Sequence, residues 1–200
     1  MTDHTFKQFD TDIEKMRSTV SMMGGLVERQ FVRAIDAVRD GDLQRVMQVL
    51  EDEHVVNQLH LESDLRCNQL IARRQPIAVD LREIIAVIHS INDLERVGDE
   101  AKKIALKAKH FVDAPLPIPF EPIVRMSEIV VEMLRAAIDA FVRQDEGAAA
   151  RLSSRDDEVD ALRDQLVGQL IARMSDDPGI VSNALALVFV VQSIERVGDH

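Results

Sequence analysis

Residues 95–99, Glu-Arg-Val-Gly-Asp, recur unchanged at residues 195–199. Each copy lies in an apolar pattern of helical period. Positions four apart share one helix face, so Glu95 stands over Asp99 and Glu195 over Asp199. Two carboxylates stacked in this way repel unless something positive lies between them, which makes a cation the first ligand to consider. Glycine costs about 1 kcal/mol relative to alanine in a helix interior. Its presence in both copies predicts a close approach to the backbone there, by a neighbouring helix or a bound ion with its waters. A repeated segment of this kind restricts the chain to folds built from two similar halves.

The spacing of apolar residues defines those halves. Phe9, Ile13, Met16, Val20, Met23, Val27, Ala34 and Val38 predict one long amphipathic helix ending at Asp40-Gly41-Asp42. A second helix is expected over about 43–74, closed by Gln75-Pro76. A third carries Leu81, Ile84, Ile88, Ile91, Leu94, Val97 and Ile104 and is expected to finish near Phe111. The stretch 113–122 has proline at alternate positions and reads as a stiff extended connector. Beyond it Ala34-Ile35-Asp36-Ala37 returns as Ala137-Ile138-Asp139-Ala140, and the Pro76 turn returns at Pro178. No strand-like alternation is present. The expected fold is all-α, a tandem repeat of two three-helix bundles: residues 1–112, a linker over 113–122, and residues 123–200. The sequence ends at His200, so the sixth helix is expected to be truncated relative to the third.

Composition excludes several functions. The formal net charge is −11, without a Lys/Arg-rich run, which argues against sequence-independent nucleic-acid binding. The N-terminus does not resemble a secretory signal. The longest apolar run, residues 184–191, is far short of the ~20 residues that cross a bilayer. Cys67, the only cysteine, permits no internal disulfide and fits a reducing cytoplasm as a core residue.

Partners for the duplicated carboxylates are found on the second helix of each half. Glu53 and Asn57 correspond to Asp156 and Asp160, again four apart, and antiparallel packing would bring them to the Glu-x-x-x-Asp pairs. Asp93 and His200 flank the two motifs and extend the candidate set, His200 as a nitrogen ligand. Such oxygen-dominated sets select a divalent or trivalent cation, with iron, zinc, manganese and magnesium left open. The first copy is the more complete of the two, being set in a full-length helix. Asn57 is not a carboxylate, and Ser193 stands where the first copy has Asp93. A di-iron carboxylate bundle enzyme is the alternative, motivated by Glu51-x-x-His54, although no second Glu-x-x-His exists. Phosphate-binding loops, serine-hydrolase elbows and zinc-protease motifs are absent.

The stretch 75–82, Gln-Pro-Ile-Ala-Val-Asp-Leu-Arg, followed by 93–102, Asp-Leu-Glu-Arg-Val-Gly-Asp-Glu-Ala-Lys, resembles the PhoU family, and residues 194–200 resemble its second repeat. The resemblance covers essentially the whole chain. It implies two three-helix bundles related by a pseudo-twofold axis, often homodimeric, with carboxylate motifs that hold multinuclear metal clusters. It also implies a cytoplasmic, non-enzymatic negative regulator of phosphate uptake. Such a regulator would join the ATPase subunit of the phosphate ABC transporter to a phosphate sensor histidine kinase, with no nucleic acid bound and no insertion into the membrane.

Overall fold

The computed structural model describes residues 2–114, 116–145 and 147–200, with side chains from residue 11 onward, so the Phe9 side chain and Pro115 lie outside the described residues. Six helices follow in order: α1 Thr2–Asp40, α2 Leu43–Arg74, α3 Ala78–Ala105, α4 Glu121–Arg143, α5 Ala148–Asp176 and α6 Val181–Asp199. Single 3-10 turns stand at Ala108–His110 and Pro178–Ile180. No strand occurs among the described residues, and the chain is all-α as its periodicity requires.

The first turn forms as its chemistry dictates. Gly41 adopts φ +62°, and Asp42 caps α2 by accepting hydrogen bonds from the backbone N–H groups of Gln44 (2.8 Å) and Arg45 (3.2 Å). The second turn dispenses with glycine. Gln75 takes the left-handed conformation itself, and its N–H closes on the Ile71 carbonyl at 2.9 Å before Pro76 prevents further helix.

Helix α1 is the spine of the first repeat and packs on α2, α3 and α4. Its inward stripe is Val20, Met23, Val27, Phe31, Ala34 and Val38, all essentially inaccessible to solvent. In the second repeat α6 plays the comparable part, packing on α5, α4 and α3. The two repeats therefore share one core through the α1–α4 and α3–α6 contacts, reinforced by Arg135 to Glu28 at 2.6 Å and Arg196 to Glu100 at 3.7 Å.

Three expectations need correction. Helix α3 ends at Ala105 rather than near Phe111, and the chain bends through the 3-10 turn. Bending buries Ala108 and Phe111 and brings the Phe111 carbonyl against Gly41 in the α1–α2 turn; a straight helix would carry Phe111 away from that contact. The proline-rich connector is not a free spacer, since Ile118 and Phe120 are buried in the shared core, and its last proline, Pro122, already sits in the first turn of α4. Finally, residues 178–199 are long enough, and over their most apolar 18 residues apolar enough (mean hydropathy 1.5), to cross a membrane by length and composition. Here they make a core helix: Ala184, Leu187, Val190, Val191 and Ile194 are buried, while Leu185 and Phe189 stay about half exposed. The run 185–191 is thus covered on most sides by the other helices, and the outward ring of Phe189 carries the Lys107 ammonium 4.6 Å from its centroid.

Candidate metal centre

Helices α2 and α3 run side by side in the first repeat, and the face of α2 that carries Glu53 turns inward. Glu53 is only 3% exposed. Its Oε2 accepts from Gln30 Nε2 on α1 at 3.0 Å, its Oε1 accepts from Asn57 Nδ2 at 3.1 Å, and Lys102 Nζ stands 3.7 Å from that same Oε1. Lys102 lies equally 3.7 Å from Asp99 Oδ1. Burial raises the Glu53 pKa above the ordinary carboxylate range; the hydrogen bond from Gln30 opposes the rise and Asp99 reinforces it. A lysine of the chain itself thus stands between Glu53 and Asp99, one member of the stacked pair.

Gln30 was not anticipated from the sequence. Its amide nitrogen also reaches the carbonyl oxygens of Val49 and Gly98, both at 3.3 Å, which fixes the amide orientation because all three partners are acceptors. The carbonyl Oε1 that remains is buried without a hydrogen-bond partner. A Cβ at Gly98 would fall 3.0 Å from Glu53 Oε2 and 3.2 Å from Gln30 Oε1. The glycine of the motif therefore makes room for the buried Glu53–Gln30 pair. A polar residue on the otherwise apolar stripe of Met23, Val27, Ala34 and Val38 was the available signal, and the matching position of the second repeat, Met133, gives no hint of it.

The second repeat is built differently. Asp156 and Asp160 on α5 face Glu195 and Asp199 on α6, and Arg163 lies between the helices, paired with Glu195 and 3.2 Å from Asp160. Burial, then the charges of Asp199 and Asp160, raise Asp156. Burial, then Asp199, raise Glu195 against the pull of Arg163. Four carboxylates thus share one electrostatic neighbourhood around one guanidinium. Gly198 has space: a Cβ there would meet Val130, Asp156 and Met133 at 3.6–3.8 Å, ordinary contact.

Not every expected residue joins these groups. Asp93 turns away from Glu53 to an exposed ion pair with Arg96 at 3.3 Å. His200 lines a small cavity of about 100 Å³ together with Asp93, Ser90 and Ile138, at the seam between repeats. Asn57 presents its amide nitrogen, a donor, to Glu53. Glu95 is half-buried on the α3 face and forms no side-chain hydrogen bond or ion pair among the described residues. Glu51 and His54, the Glu-x-x-His of the di-iron alternative, are both exposed on the side of α2 away from Glu53. Among the described residues no three His, Cys, Asp or Glu side chains enclose a single point as a finished metal cage does.

The donor chemistry nevertheless fits a hard cation. Both sites offer oxygen only, both contain carboxylates pushed toward protonation by burial and like charge, and the first holds a buried carbonyl oxygen with nothing to accept from. Lys102 and Arg163 would have to swing aside, which their flexible stems allow.

The PhoU domain model matches residues 20–108 and again 123–200. The phosphate-specific transport system accessory protein PhoU homolog of Pseudomonas aeruginosa is 36% identical over 201 residues, covering all of this chain and 83% of the relative. The PhoU accessory protein of Escherichia coli K12 is likewise 36% identical, over 98% of this chain and 82% of its own length. The chain belongs to the PhoU family. The crystal structure of PhoU from Pseudomonas aeruginosa superposes with a TM-score of 0.91 at 36% identity, over 96% of this chain and 92% of that one. The Streptococcus pneumoniae PhoU structure shares the fold, with a TM-score of 0.87 at 24% identity, covering 96% and 90%. The two PhoU domains correspond to the two carboxylate sites, one per repeat, which differ in their internal cation: α3 supplies it in the first and α5 in the second.

Proposed function

We propose that this protein is a metal-binding regulatory adaptor of phosphate uptake. The observation that carries the reading is the family relation over the full chain to relatives named as accessory proteins of the phosphate-specific transport system. In this role it acts in the cytoplasm, without catalysis, as a homodimer. It restrains phosphate-starvation genes when phosphate is plentiful by joining the ATPase subunit of the transporter to a sensor histidine kinase. Deleting its gene then raises expression of those genes in phosphate-rich medium. Unchanged expression would overturn the proposal, and co-purification of the ATPase subunit with the tagged protein tests the partner directly.

Within this reading the metal is held by Glu53, Glu95 and Asp99 with the Gln30 carbonyl in the first repeat, and by Asp156, Asp160, Glu195 and Asp199 in the second. The cation supplies the positive charge that Lys102 and Arg163 otherwise provide. The raised carboxyls support this, since removing their mutual repulsion is the gain a cation offers. Protein purified without chelator should carry less metal when Glu95→Ala/Asp99→Ala is introduced, and again less with Glu195→Ala/Asp199→Ala. Equal metal content in wild type and both variants would remove these residues from metal binding.

A further inference from the structure

One end of the first repeat, away from both carboxylate sites, carries a cavity of about 410 Å³ between α1 and α2. Ser63, which lines it, lies ten residues beyond Glu53, about 15 Å along the helix axis. On a chain of net charge −11, the border of this cavity is strongly basic. Lys15 contributes from α1, and Arg66, Arg73 and Arg74 from α2. Arg66 lies 3.8 Å from Glu62, a loose pair. Among the described residues no ion pair is formed by Lys15, Arg73 or Arg74. The single carboxylate on the border among the described residues is Asp12, which has a partner of its own.

Two observations separate this basic end from ordinary surface charge. The first is Ser63, which is 5% exposed, lines the cavity, and makes no hydrogen bond among the described residues. A hydroxyl held inside a helical bundle normally finds a partner, and this one opens instead onto the space between the cations. The second is the contrast with the other repeat. Basic residues in the last turn of a helix complement its dipole, so the arginines at the end of α2 need no ligand to explain them on that ground alone. Yet α5, which ends two residues before its own turn proline just as α2 does, closes on Ser175-Asp176 where α2 closes on Arg73-Arg74. Ser63 follows the buried Val56 by seven residues, and the residue seven beyond the buried Val159 is the fully buried Leu166. The helical hairpin is thus built once with an acidic end and an apolar interior. Residues 69–73, Gln-Leu-Ile-Ala-Arg, return as 169–173, where Arg173 is turned to the Pro117 carbonyl at 3.3 Å. Lys15, Arg66, Arg74 and the buried hydroxyl are what the first repeat has alone, and the hairpin architecture does not require them.

We propose that this cavity binds a phosphorylated small molecule. Guanidinium groups match phosphate oxygens in paired hydrogen bonds, the convergence of three arginines and a lysine on one border favours a polyanionic phosphoryl group over a single carboxylate, and Ser63 and the Gln69 amide add neutral donors. The volume falls within the range of small-molecule sites and exceeds what one free phosphate fills. The nearly buried Met16 and Leu70 give it an apolar wall against which the body of a phosphate ester or nucleotide lies.

The test is calorimetric titration of the full chain, in chelator so that no metal bridges the anion to the carboxylate sites, with ATP, inorganic tripolyphosphate and inorganic phosphate. Saturable one-site binding is expected for ATP and tripolyphosphate, with inorganic phosphate weaker. Affinity should fall at least ten-fold in Arg73→Ser/Arg74→Asp, which gives α2 the last two residues of α5 at exposed positions, and about three-fold in Ser63→Ala. Absence of saturable binding by all three probes overturns the proposal, as does unchanged affinity in Arg73→Ser/Arg74→Asp. Equal binding of a poly-glutamate peptide would assign the cavity to an acidic polypeptide and overturn it. Binding only to phosphatidylglycerol vesicles would assign it to a membrane surface, with the same consequence.

Discussion

Gly98 and Gly198 occupy the same place in the two copies of one motif and do different work. At Gly98 a methyl group would press on Glu53 Oε2, Gln30 Oε1 and Val56 within 3.0–3.3 Å, and Glu53 cannot yield without losing its bond to Gln30. Gly98→Ala should therefore destabilise by about 1 kcal/mol despite the better helix propensity of alanine. Gly198→Ala meets only van der Waals neighbours and should be neutral or stabilising by up to about 1 kcal/mol. Urea denaturation of both variants decides the matter, and equal effects would contradict this account of the motif. Cys67 offers a second residue-level test. Burial raises its thiol from 9.0 to about 11. Between those values the folded state keeps a proton that the unfolded state has released, so stability falls as pH rises from 9 to 11. Wild type should lose on the order of 2 kcal/mol more than Cys67→Ala over that interval, measured by denaturation at each pH.

Among the elements, the first hairpin turn depends on a contact between distant segments. Gly41 uses φ +62°, which other residues adopt with strain, and its α-carbon faces the Phe111 carbonyl, with a Cβ placed only 2.8 Å from that carbonyl carbon. Gly41→Ala should cost about 2 kcal/mol or more, seen as a drop in thermal midpoint. A comparable loss at Gly147 is not expected, because its φ is −81° and the contacts around it are exposed. The bend after α3 thus serves the α1–α2 turn. This explains why apolar periodicity, which runs on to Phe111, overestimates the length of α3: Phe111 is buried as the pattern requires, but by a bent chain.

Across the whole molecule, the two repeats unfold as one unit if their shared core is as continuous as the α1–α4 and α3–α6 packing indicates. A single calorimetric transition is expected. Arg135→Glu, which sets an acid against Glu28 across the seam, should lower its midpoint by roughly 2–4 °C without splitting it. Two resolved transitions in the wild type would show the repeats to be independent. Glu100 belongs to the same seam. It is buried between Lys103 at 2.8 Å and Arg196 of the other repeat, with Oε2 unpartnered, where the second copy of the motif is followed by the exposed His200.

Helix number, turn chemistry, the duplication and the approach of the second-helix acids to the third-helix motif, Glu53 to Asp99 and Asp156 to Asp199, follow from spacing. Period 3.6 and the cap residues are local properties, and antiparallel neighbours follow from short turns. The character of each site is not local. Gln30 enters the first site from α1, 23 residues away from Glu53 in sequence, and its counterpart Met133 conceals the role. Lys102 and Arg163 reach their carboxylates from different helices, and Asp93 and His200, next to the motifs in sequence, point elsewhere because neighbouring residues on a helix diverge by about 100°. Sequence by itself determined an all-α duplicated chain with a carboxylate pair in each half. Only the tertiary structure decided which side chains meet those pairs, because packing of the whole core sets which helix faces them: α1 adds Gln30 to the first site, while the basic partner comes from α3 in the first repeat and from α5 in the second.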